Sequence, residues 1–311
     1  MKTKITIGTR SSKLAMWQSL HVKEELGRHF GLPLHEINIK EIKTKGDHII
    51  DVALSKIGDK GLFTKEIEDA LLKNEIDLAV HSLKDLLTKL PSGLKIGAVL
   101  KREPANDVII SKNKIKFKDL QSKAKIGTSS LRRMCQLKAL RQDLEYLDLR
   151  GNLDTRIRKL EEGQYDAIVL AFAGVKRLGF ESKITEHLNP TEILPAVGQG
   201  AIAIEMRDND KDIENIILKL NDNETYLSAV AERAFLETLQ GGCQVPIGAY
   251  SLVNKSQITL HGMIGSLDGK KIVKDKTTCQ LEISECRNIG INLAHKLLQN
   301  GGREILEGIV R

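Results

Sequence analysis

The chain has 311 residues, 41% hydrophobic and 29% charged, an ordinary globular composition with room for two or three cores. Aromatics at 4% argue against the base-stacking platforms of single-strand nucleic-acid binders, and no apolar run is long enough to span a bilayer. The formal net charge of +7 points to an anionic partner without saying which.

Taken in order, Lys4–Gly8 reads as a short buried strand and not as an export signal. An amphipathic helix is expected over Ser11–Phe30, stopped by Gly31, and a strand over Ile37–Ile42. Thr44–Phe63 has no period, carries Gly46, Gly58 and Gly61, and reads as a long mobile loop. A helix at Thr64–Asn74 and a strand at Ile76–His81 lead into Ser82-Leu83-Lys84-Asp85. Strands at Ile96–Leu100 and Asp107–Ser111 are joined by Lys101–Asn106, which reads as a crossing between domains.

The pattern then starts again. Ile126-Gly127-Thr128-Ser129-Ser130 echoes Ile7-Gly8-Thr9-Arg10-Ser11-Ser12, and Tyr165–Leu170 echoes Ile76–His81, which suggests two domains of one topology. Ala201–Met206 reads as a strand returning to the first of them. A helix over Glu224–Leu239 follows, then strands near Gly248–Val253, Gln257–Ile264 and Lys271–Lys276 and a helix at Cys286–Asn300. The expected fold is thus α/β: two similar doubly wound domains, 1–100 with 200–219 and 101–199, plus a small α+β domain over 220–311.

Ligands of mostly parallel sheets sit outside the carboxyl ends of the strands. Here those ends carry Arg10, Ser11 and Ser12; Ser82, Lys84 and Asp85; Thr128, Ser129, Ser130, Arg132 and Arg133; and Arg150. Any one arginine reads as part of an ordinary solvated face. The set, with Arg156, fits a ligand bearing many carboxylates, because guanidinium forks bind carboxylates in pairs of hydrogen bonds. Asp85 is either paired with a neighbouring cation or placed to offset developing positive charge or move a proton. His81 and Cys135 read as core.

Cys243 stands in Leu239-Gln240-Gly241-Gly242-Cys243-Gln244-Val245-Pro246, where two glycines and a proline end the helix and put the thiol on a short loop. It reads equally as a packed loop cysteine or as a thiol kept accessible for chemistry. With Cys135, Cys279 and Cys286 it shows neither C-x-x-C nor zinc-like spacing, so free thiols in a reducing cytoplasm are expected. No Walker lysine motif, G-x-G-x-x-G or H-E-x-x-H occurs, which argues against nucleotide hydrolysis, nicotinamide use and zinc hydrolysis. Two other classes compete: a two-lobed solute-binding protein, and a nucleic-acid binder using the basic helix Arg132–Arg141.

Several stretches together resemble the porphobilinogen deaminase (hydroxymethylbilane synthase) family across essentially the whole chain. They are Gly8–Ser12, Lys60–Phe63, Val80–Asp85, Gly127–Arg133, Arg150-Gly151-Asn152, Leu194–Gly200, Glu232-Arg233-Ala234 and Gly241–Gly248. The resemblance implies a transferase of haem biosynthesis with two domains like those of two-lobed ligand-binding proteins and a smaller third one. It implies a dipyrromethane cofactor joined by a thioether bond to Cys243, on which four porphobilinogen units are added with loss of ammonia. The linear tetrapyrrole is then hydrolysed off.

By the same resemblance Asp85 is the catalytic aspartate that stabilises cationic azafulvene intermediates. Lys84, Arg132, Arg133, Thr128 and Ser130, with Ser82 and Ser12 close by, match groups that hold the cofactor carboxylates. Arg10, Arg150 and Arg156 match substrate or chain contacts, and Arg177 one used in elongation. Lys56 and Lys60 match the flexible loop over the site. A cytoplasmic monomer is implied, without metal, nucleic acid or membrane, whose product passes to uroporphyrinogen-III synthase. The chain departs from the family at Leu87, where proline is usual, and at Arg102-Glu103-Pro104-Ala105-Asn106-Asp107, where arginine-aspartate-proline-arginine-aspartate is commoner. Both departures bear on the hinge and on the placement of Asp85.

Overall fold

The computed structural model of the chain describes residues 4–31, 33–48, 61, 63–241 and 245–310. The contacts of the described residues divide the chain into two compact units, one within residues 4–48, 61–103 and 200–226, the other within 104–199 and 227–310. The chain opens with β1 (Ile5–Thr9), α1 (Lys13–Phe30), β2 (Ile37–Glu41), α2 (Lys45–His48), α3 (Lys65–Leu72), β3 (Leu78–Ser82) and β4 (Leu94–Val99). It continues with β5 (Asp107–Ser111), β6 (Lys125–Gly127), α4 (Leu131–Leu140), β7 (Glu145–Leu147), α5 (Leu153–Glu161), β8 (Ala167–Ala171), α6 (Phe172–Arg177) and β9 (Glu186–His187). It closes with β10 (Ile202–Arg207), α7 (Lys211–Ile217), α8 (Asn223–Thr238), β11 (Ile247–Asn254), β12 (Gln257–Gly265), β13 (Ile272–Gln280), α9 (Ile283–Leu297) and α10 (Arg303–Val310).

In the first unit the sheet order is β2-β1-β3-β10-β4, with β10 antiparallel to both neighbours. Ile5, Ile7, Val80 and Ile204 pack on one face against Val22 and Leu26 of α1 and Ile213 and Ile217 of α7. Ile76 and Ala79 meet Ile67 and Leu71 of α3 in a separate cluster. Each fully buried aliphatic side chain contributes about 1.5–3 kcal/mol, which is why these strands read as continuous apolar runs. Helix α1 starts at Lys13 because the Ser12 hydroxyl accepts from the Ala15 N–H, and it stops where Gly31 turns to φ 62°.

The second unit repeats the arrangement as β7-β6-β8-β5-β9, with β5 in the place that β10 takes in the first. The paired echoes in the sequence therefore mark one topology used twice. Both sheets depart from the expected mostly parallel pattern at one strand. That strand is β5 or β10, each the first strand after the chain passes from one unit to the other, and each runs antiparallel to its neighbours. The second unit also holds the antiparallel sheet β11-β12-β13, on which α9 packs, giving the small α+β layer expected at the C-terminus.

Other expectations shift at their edges. Lys45–His48 forms a helical turn inside the expected loop, while 49–60 and 62, with Lys56 and Lys60, lie outside the described residues. Helix α9 runs over Ile283–Leu297, starting three residues earlier than expected, and passes into a π-helical segment, Leu298–Gly302, that breaks where Gly301 takes φ 100°. Helix α8 ends at Thr238; Gln240 turns to φ 50° and the Gly241 N–H closes on Leu236 O at 3.0 Å. A Cβ on Gly241 would lie 2.6 Å from Leu236 Cδ1 and 2.7 Å from Ile247 Cδ1, so a larger residue there would have to push these two side chains aside. Cys243 itself lies outside the described residues.

Candidate active site

In the first unit the carboxyl ends of β1 and β3 lie side by side and open on a small cleft of about 60 Å³. Arg10, Ser12, Gln18, Phe63, Thr64, His81, Ser82 and Asp85 line it. Asp85 ends a short 3-10 turn, Leu83–Asp85, and is exposed. The turn is fastened by the Leu83 N–H to Ala201 O at 3.0 Å and the Leu86 N–H to Leu83 O at 3.2 Å, so the Asp85 backbone is held while its carboxylate meets solvent. Arg10 carries its guanidinium 4.3 Å from the centroid of Phe63, a stacking that holds the cation at the cleft. Gln18 donates to Ser82 Oγ at 2.8 Å. Six groups named from sequence thus fall in this unit: Arg10, Ser12, Ser82 and Asp85 line the cleft, Lys84 flanks it in the turn, and His81 lines it as well.

His81 is buried, as expected of a core histidine, but it is not satisfied there. Its Nε2 lies 3.0 Å from Glu205 Oε2 without hydrogen-bond alignment, and both carboxylate oxygens of Glu205 are buried with no donor. Glu68 on α3 is buried too, and burial pushes its carboxyl up; Thr64 pulls it down, Glu205 pushes it further up and His81 opposes. Sequence reasoning missed this cluster. Its signals were a charged residue inside the apolar run Ala201–Met206 and a histidine ending the run Ile76–His81.

In the second unit Thr128, Ser130, Arg132 and Arg133 follow β6, Arg150 and Arg156 follow β7, and Arg177 lies on α6 after β8. Because β6, β7 and β8 are parallel, these groups share one end of the sheet. The Ser130 hydroxyl caps α4 by accepting from the Arg133 N–H at 3.4 Å, and the Ser130 N–H donates to Thr128 Oγ1 at 3.2 Å. Arg156 Nε donates to Gly151 O at 2.8 Å. Arg150 keeps a buried Nε without a hydrogen-bond partner, and Arg177 is buried.

Arg132 and Arg133 are not solvated. Arg132 Nη1 donates to Asp107 Oδ2 at 2.9 Å and to Leu194 O at 2.6 Å, and Arg133 Nη2 donates to Asp107 Oδ1 at 2.7 Å. Gln199 Nε2 adds a bond to Asp107 Oδ1 at 2.9 Å. Burial opposes ionisation of Asp107, but the two guanidiniums overcome it and hold the carboxyl well below the usual carboxylate range. Two cations against one anion leave the cluster net positive at the strand ends. Asp107, Gln199 and the Leu194 carbonyl were not named from sequence, because their role depends on partners far along the chain.

The other thiols are unreactive by environment. Burial pushes Cys135 up to about 11 and Cys286 up to about 12, and raises Cys279 as well; all three are free. Among the described residues no group of acids, histidines and cysteines could hold a metal ion, and no helix is long and apolar enough to cross a membrane.

An anionic pyrrole chain fits these groups. The orphaned Arg150 Nε, the hydroxyls at the start of α4 and the net positive Asp107 cluster are what carboxylates require. Residues 5–215 match the family described as "Porphobilinogen deaminase, dipyromethane cofactor binding domain", and residues 226–299 match its C-terminal domain. A porphobilinogen deaminase of Carboxydothermus hydrogenoformans is 52% identical over 100% of this chain and 99% of its own. Those of Chlorobium phaeovibrioides and Syntrophomonas wolfei are each 50% identical, over 99% and 97% of both chains respectively. A solved structure of the Bordetella pertussis BvgS periplasmic VFT2 domain shares 15% identity at a TM-score of 0.42, over 70% of this chain and 86% of its own; so loose a likeness carries no weight here. With domain matches that run almost from end to end and relatives half identical along their whole length, the chain belongs to the porphobilinogen deaminase family.

Proposed function

We propose that the chain is a hydroxymethylbilane synthase, joining four porphobilinogen units head to tail with release of ammonia. The observation that carries this reading is the match of residues 5–215 to the cofactor-binding domain, with Asp85 standing at the mouth of a cleft inside that match. The dipyrromethane, held by a thioether to Cys243, supplies the ring on which the chain is begun. Asp85 offsets the positive charge that appears on a substrate ring as its amine departs, and accepts from the pyrrole N–H. Arg10, held against Phe63, binds a substrate carboxylate at the same cleft.

Lys84, Thr128, Ser130, Arg132 and Arg133 hold cofactor carboxylates, with Ser12 and Ser82 in support. Arg132 and Arg133 do so through the net charge of the Asp107 cluster and the donors that Asp107 leaves over. Arg150 and Arg156 bind the growing chain, Arg177 serves elongation, and Lys56 and Lys60 cover the site. The chain works as three domains, 1–100 with 200–219, 101–199 and 220–311, in a cytoplasmic monomer that hands its product to uroporphyrinogen-III synthase.

An intact mass of the purified protein beside Cys243→Ser tests the reading. A mass excess of two linked pyrrole units, absent from Cys243→Ser, is the expected result. An unmodified protein that gains no adduct on incubation with porphobilinogen overturns it.

A further inference from the structure

Three buried side chains behind the Asp85 cleft have no place in the reading so far. Glu205 lies in the centre of the first sheet with no exposed surface, and neither carboxylate oxygen has a donor. His81, on the adjacent strand, puts Nε2 3.0 Å from Glu205 Oε2, and His81 also lines the cleft that holds Asp85. Glu68 on α3 is buried, and its Oε1 has no partner. A buried carboxylate with no donor is strongly disfavoured as an anion, so Glu205, with the His81 imidazole 3.0 Å away, is placed to exchange a proton with that ring. A purely structural cluster would fill its hydrogen bonds, as Asp107 does in the other sheet.

The reaction needs a group with that property. Each condensation breaks one C–N bond, whose electron pair leaves with the nitrogen as the ammonium form departs as ammonia. One C–C bond forms from the electrons of the attacked ring. One ring C–H bond then breaks, its electron pair returning to the ring, and a proton must be taken up. Asp85 faces the ring cation, and the departing ammonia carries the proton away only if it stays at the site, so an acceptor held beside the cleft would take it directly. We propose that His81, backed by Glu205 and Glu68, is a proton-holding relay that receives this proton from the Asp85 cleft and returns it to solvent between condensations. The inference rests on the assignment of the cleft as the site of condensation.

The groups packed around His81 allow it to switch. Glu205 faces it from β10, and Glu68, with Thr64 beside it, from α3; Asp69 adds a further negative charge near Glu68. At the cleft lie Asp85 and Arg10, with Lys84 next in sequence to Asp85. Helix α1 brings the neutral Gln18 to the same cleft. Glu205 and Glu68 thus set two acids around one imidazole.

The test uses the holoenzyme with Glu205→Gln, which removes the carboxylate and keeps its shape. Expected is a fall in kcat of about 100-fold with KM for porphobilinogen unchanged. Glu205→Asp should recover part of kcat. A folded Glu205→Gln enzyme with wild-type kcat overturns the relay, whereas a wild-type protein that makes no tetrapyrrole overturns the assignment of the site instead. A second measurement needs no variant: infrared difference spectra of glutamate-labelled wild-type holoenzyme, before and after porphobilinogen is added. A buried glutamate changing protonation is the result expected, and no change in any glutamate carboxyl sinks the proposal.

Discussion

In the second sheet Asp107 is fully buried and takes bonds from Arg132, Arg133 and Gln199, so its charge is fixed and its role is to fasten α4 to β5. In the first sheet Glu205 is equally buried, on the strand that holds the equivalent place, and takes none. The strand ends differ too, with an exposed aspartate beside Arg10 and Lys84 in one unit and arginines without an exposed acid named among them in the other. One strand order therefore fixes where side chains are presented but not the charge they carry. Whether a buried acid is a fastening or a proton store depends on how many donors reach it.

Four substitutions sharpen or break this contrast. The largest effect is expected of Asp85→Ala, which should cut turnover by about 100-fold or more while circular dichroism and melting stay as in the wild type. Near-normal activity in that folded variant would remove the first unit's claim to the chemistry. Asp107→Asn should destabilise by about 3–5 kcal/mol in urea, because it strands two buried guanidiniums. Asp107 is held below its unfolded value, so its contribution is present above the usual carboxylate range and fades as pH falls toward the folded value. The gap between wild type and Asp107→Asn should accordingly narrow in strong acid; a constant gap would mean the aspartate acts by shape alone.

Arg150→Leu should slow elongation by roughly 1.5–3 kcal/mol, the worth of a charge-assisted bond to a propionate. Native gels of the enzyme–substrate intermediates read this directly, and an unaltered ladder would return Arg150 to the ordinary surface. The smallest effect is expected of Glu205→Met. It should leave stability unchanged or raise it, by up to about 3 kcal/mol, since it buries an apolar group in place of an acid without donors. A clear loss of stability would show Glu205 to be a fastening after all, and the contrast between the two sheets would disappear.

Much of the scaffold was legible because burial on both faces writes itself as short apolar runs, as in Ile5–Thr9 and Ala167–Ala171, and because helix starts carry Ser12 and Ser130. The cleft-lining members of the site were legible for a related reason: Arg10, Ser82 and Asp85 stand at or just past strand ends, where local pattern places them. The partners were not. Asp107 and Arg132 are 25 residues apart, and His81 and Glu205 lie on strands that meet only once the sheet has formed. Nothing local told that Arg132 and Arg133 are buried, since an arginine pair on a helix reads as solvated until its acid is found.

Strand β10 sits between β3 and β4, yet it is the last of the first sheet's strands to be synthesised. A nascent chain that has reached Gln199 already contains every strand of the second sheet, while the first still lacks the strand on which β3 and β4 both pair. The first sheet must therefore close after the second, with β3 and β4 kept as open edges during the interval. When β10 arrives it brings Glu205 to His81 and Ala201 to Leu83 in one step. The cleft acquires its buried acid and its held turn together, so a half-made chain carries neither.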